Sequence, residues 1–123
     1  MANPNIVNVT SIYGNTSYLI PSTTSATTWT ALTPATGTVN KIDNIVASNV
    51  TASAANVTVS INSATAGGGT AYRIVSTVSV PAYASLIVVD KTTAFYCGES
   101  QSIVATVGTA SAIEFTASYE AIT

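Results

Sequence analysis

The sequence predicts an all-β protein, a single jelly-roll-like β-sandwich of about eight antiparallel strands, and three observations lead to this fold class. Apolar and polar residues alternate with a period of two, most clearly along residues 57–62. The β-branched residues Thr and Val recur throughout the chain and favour extended backbone. Turn residues interrupt the apolar runs at the spacing that is typical of a sandwich or barrel.

The predicted strands follow from these runs in chain order. They are residues 6–12, 16–20, 39–47, 57–62, 74–80, 86–89, 103–107 and 113–119. The sequence Tyr13-Gly14-Asn15 separates the first two, and Pro81 and Gly98 mark later turns. Residues 66–69 are predicted to form a hairpin loop, because no Lys-Ser/Thr pair follows them as in a phosphate-binding loop. No window has the 3.6-residue period of an amphipathic helix.

The 123 residues fit one domain, residues 1–123. Residues 1–5 are predicted to form an N-terminal arm that orders only on a neighbouring molecule. The N-terminal sequence lacks the basic and apolar regions of a signal peptide, so synthesis in the cytoplasm without cleavage of a leader is expected. No apolar run reaches the ~18 residues of a membrane-spanning helix.

The low charge of the chain excludes some partners and favours others. Charged residues make up 7% of the sequence, and the formal net charge is −2. A surface of this kind gathers neither phosphate backbones nor anionic lipid, so nucleic-acid and membrane partners are not expected. Desolvating it strips few ionic groups of water, which suits a protein whose surface becomes an interface.

The residues offer no catalytic, cofactor or metal site, and none is assigned. The chain contains no histidine, the commonest general base and metal ligand, and its one cysteine is expected to be a buried thiol, Cys97. Asp43 and Asp90 each lie within two residues of a lysine, which predicts simple surface ion pairs. Most of the aromatic residues are expected to pack in the core and on the sheets, with Trp29 and Tyr83 as candidate anchors for a partner. Two or three aromatic residues exposed on one face would indicate a carbohydrate platform.

Five segments carry a resemblance to a known family. They are residues 5–14, residues 69–74 (GTAYRI), residues 80–86 (VPAYASL), residues 98–103 (GESQSI) and residues 118–120 (SYE). In this order they resemble small virion structural proteins of tailed bacteriophages, especially those of cyanophages and other marine phages. The Gly-Glu-Ser at residues 98–100 stands where that family usually has Gly-Asp-Ser.

The resemblance implies a non-enzymatic virion structural protein, most simply a capsid decoration (cement) protein that stabilises the shell over capsomer joints. Its partners would be the major capsid protein or another virion protein, and further copies of itself in a homo-oligomer such as a trimer. Two alternatives stay open: a neck, tail or fibre component of the same particle, and a β-sandwich module that binds carbohydrate or a host receptor.

Overall fold

The computed structural model describes residues 8–123, which form two antiparallel sheets. These residues contain nine strands and two single 3-10 turns, at Thr30–Leu32 and Thr65–Gly67. The strands are β1 (Ile12–Leu19), β2 (Thr27–Thr28), β3 (Val39–Asn49), β4 (Ala55–Asn62), β5 (Ala71–Val80), β6 (Ser85–Val89), β7 (Phe95–Cys97), β8 (Ser102–Val107) and β9 (Ile113–Ile122). The predicted all-β sandwich is confirmed, with nine strands where about eight were expected.

The strand order is that of a jelly roll. Sheet I has the order β1-β9-β3, and β6 and β7 lie one after the other along the far side of β3. Sheet II has the order β2-β8-β4-β5. The antiparallel pairs are therefore nested, β1 with β9, β2 with β8, β3 with β6 and β7, and β4 with β5, as in a long hairpin rolled into two sheets.

The core lies between the sheets and is built by the period-two pattern. In β9 the buried side chains Ile113, Phe115 and Ala117 alternate with exposed ones, and in β4 Val57 and Val59 are fully buried from the other side. Inward residues of both sheets thus form one apolar cluster, the arrangement expected of a sandwich.

The first strand differs from its prediction. Residues 12–19 form one strand without a turn at Gly14, because all eight residues pair in register with β9. Gly14 lies opposite Glu120, and this long-range pairing overrides the local turn signal. Residues 8–11 lie outside any strand, and the rest of the predicted first strand and the arm at residues 1–5 lie outside the described residues.

The glycine-rich segment at residues 63–70 joins β4 to β5 as the predicted hairpin loop. It also folds back over the outer face of sheet II. The Nδ2 of Asn62 donates to the Gly67 carbonyl at 2.9 Å, and the Gly67 amide donates to the Ser102 hydroxyl at 3.0 Å, which in turn donates to the Ala64 carbonyl at 2.7 Å. Fully buried Ser102 is therefore satisfied by a loop that covers its strand.

Candidate interaction surface

The described residues contain no cluster of potential metal ligands. No three of their cysteine, aspartate and glutamate side chains come together in a way that could hold a metal ion. The Lys41 ammonium lies 3.8 Å from an Asp43 carboxylate oxygen and 3.9 Å from one of Glu120, all partly exposed on sheet I. This confirms the predicted surface ion pair at Asp43, and Glu120 shares the same lysine.

The predicted ion pair at Asp90 is wrong. Its carboxylate accepts hydrogen bonds from the Thr92 amide at 2.9 Å, the Thr92 hydroxyl at 2.6 Å and the Thr93 amide at 3.2 Å. These bonds, the Thr92 hydroxyl foremost, lower the pKa of Asp90. Asp90 therefore closes the loop between β6 and β7, because an aspartate side chain readily satisfies the amides two and three residues on.

Cys97 is the buried thiol that the sequence predicts. It ends β7 opposite Asn40 and is completely buried, and burial raises the pKa of its thiol to about 11. The thiolate required for nucleophilic or metal chemistry is therefore disfavoured.

Trp29 is a core residue, as expected for most of the aromatic residues, and the alternative that it anchors a partner is wrong. Its side chain is 1% exposed and packs edge-on against Phe115 with ring centroids 6.0 Å apart. Its indole N–H donates to the Ser17 hydroxyl at 3.1 Å, and its amide donates to the Ile103 carbonyl at 2.8 Å. Trp29 thus ties the segment after β2 to sheet I through its indole and to sheet II through its backbone amide.

The exposed tyrosines are spread over both sheets and the loops. Tyr18 and Tyr96 share the outer face of sheet I, but three strand spacings, about 14 Å, separate their strands. Tyr72 lies on β5 at the far edge of sheet II, and Tyr83 lies in the loop before β6.

Four uncharged loops meet at one end of the sandwich, which we call the neutral end. They are residues 20–26, 50–54, 81–84 and 108–112. Backbone hydrogen bonds link them: the Ser111 amide donates to the Pro21 carbonyl at 2.8 Å, Val50 to Ala112 at 3.0 Å and Tyr83 to Thr51 at 3.2 Å. The jelly-roll order brings these loops together, since each of them follows or precedes a strand that ends there.

Asn49 holds the neutral end in shape. Its buried side-chain amide donates to the Ser53 carbonyl at 2.8 Å and to the Val80 carbonyl at 3.0 Å. Its oxygen accepts from the Thr51 amide at 2.9 Å and from the Thr51 hydroxyl at 2.7 Å. One side chain therefore connects the loop after β3 to the end of β5, and no sequence signal distinguished it from the other asparagines.

Tyr83 is the exposed tip of this end, as the sequence predicted. It is 73% exposed, at the third position of a turn closed by the Ala84 amide and the Pro81 carbonyl at 3.1 Å. Its φ of 56° is in the region where such turns normally place glycine. Ser111, with φ 58°, adopts the same conformation in the neighbouring loop. Backbone strain of this kind, held by surrounding bonds, is common where a loop presents a side chain for contact.

An apolar row on the outer face of sheet I continues the surface. Tyr18, Thr116, Val46 and Ile87 are directly opposite one another on four adjacent strands. Tyr18 is 74% exposed and Ile87 is 64% exposed. Ile20, Val50 and Tyr83 are exposed in the loops of the neutral end itself. With Tyr18 and Ile87 on the adjoining strands, they make five exposed large apolar side chains on this surface.

The charges of the protein lie almost entirely away from this end. Glu114, on β9 opposite Ser48, is the only charged side chain next to the neutral loops. The other seven lie along the middle or at the opposite end: Lys41, Asp43, Arg73, Asp90, Lys91, Glu99 and Glu120. In those regions the charged side chains lie among the remaining exposed apolar residues. At the neutral end the neighbours of the exposed apolar side chains are mainly Ser, Thr and Ala.

Comparison of the chain with protein-family models, with curated proteins and with solved structures gave no match. Within residues 8–123 no helix has the length and apolar character needed to span a membrane.

Proposed function

We propose that this protein is a non-enzymatic structural component of a tailed-phage particle, a capsid decoration protein that binds through its neutral end over the joints between capsomers. The observation that carries the proposal is that one end of the sandwich presents exposed apolar side chains on and beside four loops that contain no charged residue. The partner is the major capsid protein, and the protein acts on the assembled virion after synthesis in the host cytoplasm.

Docking through the neutral end has a low desolvation cost. Its four loops contain no charged residue, so covering the loops themselves strips water from no ion, and Glu114 is the one charged side chain beside them. Its exposed tyrosines, Tyr18 and Tyr83, are of the residue type that dominates binding energy in interfaces. Because Asn49 and the interloop hydrogen bonds already order the loops, little entropy is lost on binding.

Two further arguments support a particle role. The segments at residues 80–86 and 98–103, which carry the resemblance to phage virion proteins, both form turns that shape the sandwich. By analogy of fold, the jelly roll is the architecture of many viral capsid domains as well as of lectins. A neck, tail or fibre location would use the same surface on a different partner.

The first experiment is immunogold labelling of intact particles from the source lysate with antibody against this chain. Label spread evenly over the heads supports decoration. Label confined to the neck or tail moves the protein to that part of the particle, and unlabelled particles refute the virion assignment. A glycan array run with the same protein then decides whether the carbohydrate-binding alternative takes its place.

Co-sedimentation with particles depleted of the protein tests the docking surface. The variant Tyr83→Ser should weaken particle binding at least about tenfold, the effect of losing about 1.4 kcal/mol at an interface tyrosine. Tyr72→Ser is the matched control, because Tyr72 is a second exposed tyrosine on β5, remote from the neutral end. Equal loss in both variants, or none in Tyr83→Ser, would show that another surface docks.

A further inference from the structure

We propose that the edge of β1 remote from β9, which pairs with no described strand, pairs antiparallel with the same edge of a second copy, giving a weak twofold dimer in which sheet I continues across both molecules. This inference does not depend on the proposed function. It follows from the length, the neutrality and the self-complementary register of one strand.

β1 is the only described sheet edge that is long, unbroken and uncharged. The opposite edge of sheet I is divided between β6 and β7 by the loop that carries Asp90 and Lys91. In sheet II, β2 has only two residues, and β5 carries Arg73, two register shifts against β4 and Thr77 at φ 51°. Charges and bulges of this kind block edge-to-edge pairing. β1 has neither, since its pairing with β9 is regular over residues 12–19 and the first charged residue of the chain is Lys41.

The hydrogen bonds show which groups of β1 face outward. Ser11 and Thr123 exchange backbone hydrogen bonds, at 3.3 Å from the Ser11 amide and 2.9 Å from the Thr123 amide. Because antiparallel pairs alternate, odd-numbered residues of β1 direct their amide and carbonyl groups toward β9. Even-numbered residues direct theirs away from the sheet, and these residues are Ile12, Gly14, Thr16 and Tyr18. All four are exposed, and no described residue bonds to their backbone groups.

One register satisfies all of these groups at once. When Asn15 lies opposite Asn15 of the second copy, Ile12 pairs with Tyr18 and Gly14 pairs with Thr16, each twice. Every outward amide and carbonyl of the strand then has a partner. The arrangement places a β-branched side chain opposite an aromatic one on the outer face, which is a favourable cross-strand pair, and it opposes no like charges. Shifting the register by two residues would leave the outward groups of Ile12 in one direction, or of Tyr18 in the other, without partners in β1.

The contact is small, so the dimer should be weak. An eight-residue strand is about 27 Å long, and a contact one strand wide buries much less than the ~1,600 Å² of a stable interface. A dissociation constant between about 10 µM and about 1 mM is expected. Such a dimer would form mainly where copies are held close together.

Sedimentation equilibrium over that concentration range tests the proposal. The wild type should show a monomer–dimer equilibrium, and Thr16→Lys should weaken it at least about tenfold by placing a charge on the outward edge. Thr116→Lys is the control, because Thr116 is also an exposed threonine on the outer face of sheet I but lies one strand further in. The proposal would be overturned if the wild-type protein stayed monomeric or formed trimers over this concentration range. It would also be overturned if the two substitutions weakened self-association equally.

Disulfide trapping tests the register directly. In Asn15→Cys the two new thiols would lie on the twofold axis with Cα atoms about 4.5 Å apart, close enough for a disulfide. In Tyr13→Cys they would be four residues apart along the strand, about 14 Å, and should not cross-link. Buried Cys97 does not compete. Mild oxidation should therefore give covalent dimers of Asn15→Cys only, and cross-linking that is equal in the two variants would refute this register even if Thr16→Lys fails to fold.

Discussion

Truncation of Trp29 to alanine should cost about 3–5 kcal/mol of unfolding free energy, the usual range for a buried aromatic side chain. The value has three contributions: burial of the indole, its contact with Phe115 and its hydrogen bond to Ser17. The indole is 1% exposed, so its whole apolar surface returns to water on unfolding. Its edge-on contact with Phe115, at 6.0 Å between centroids, should contribute about 0.5–1.5 kcal/mol beyond burial. Its hydrogen bond to Ser17, at 3.1 Å, should contribute about 1 kcal/mol.

Urea unfolding followed by far-UV circular dichroism measures this loss, since the variant lacks the only tryptophan and gives no tryptophan fluorescence. Tyr72→Ala is the control, because an exposed aromatic should change stability by less than about 0.5 kcal/mol. A double-mutant cycle of Trp29→Leu with Phe115→Leu should show a coupling of about 0.5–1.5 kcal/mol. A cost below about 1 kcal/mol for Trp29→Ala would mean that residues 27–32 do not pack into the core as described.

Two further predictions concern single residues. Burial raises the pKa of Cys97 from 9.0 to about 11, so between these pH values the folded protein retains a proton that the unfolded chain loses. About 2–3 kcal/mol of unfolding free energy should therefore disappear as the pH rises from 9 to 11. Urea unfolding at a series of alkaline pH values should show a smaller decline in Cys97→Ala than in the wild type, and an equal decline in both proteins would contradict the raised pKa of Cys97. Gly69→Ala should destabilise by about 1–3 kcal/mol, because Gly69 has a φ of 70° and a Cβ there would lie 2.9 Å from the Ala64 amide nitrogen. Gly14→Ala should be neutral or stabilising by up to about 1 kcal/mol, because Gly14 has nothing within 4 Å of that position; similar melting temperatures for the two variants would argue against the described loop.

The sequence predicted most of the sheet because side-chain periodicity is a local property. The runs that became β4, β6, β8 and β9 alternate or are continuously apolar over several residues, and their predicted bounds differ from the observed ones by a few residues. β2, with two residues, is too short to carry any periodic signal. Gly14 shows the opposite failure, because a local turn signal gave way to pairing with a strand about a hundred residues away.

The candidate interaction surface was much harder to predict. Low charge is a property of composition, so an interface-forming protein could be expected from the sequence, but the position of its surface depends on which loops the topology brings together. Tyr83 was found because Pro81 marks its turn. Asn49 and the row from Tyr18 to Ile87 depend on strand register, which no local pattern specifies. Trp29 was misassigned because a single tryptophan serves equally well as core or as contact until its neighbours are known.

The nested strand order makes the last part of the chain indispensable to both sheets. β9 lies between β1 and β3, and β8 lies between β2 and β4, so residues 102–123 supply an inner strand to each sheet. During synthesis β1 and β2 therefore have no sheet to join until the final strands leave the ribosome. Folding of the two sheets should consequently wait until residues 102–123 have been made and should be slow, as expected for pairings between residues far apart in sequence. A ribosome that stalls before residue 102 would release a chain in which the partners of β8 and β9 expose unpaired edges, and such a fragment should aggregate rather than fold.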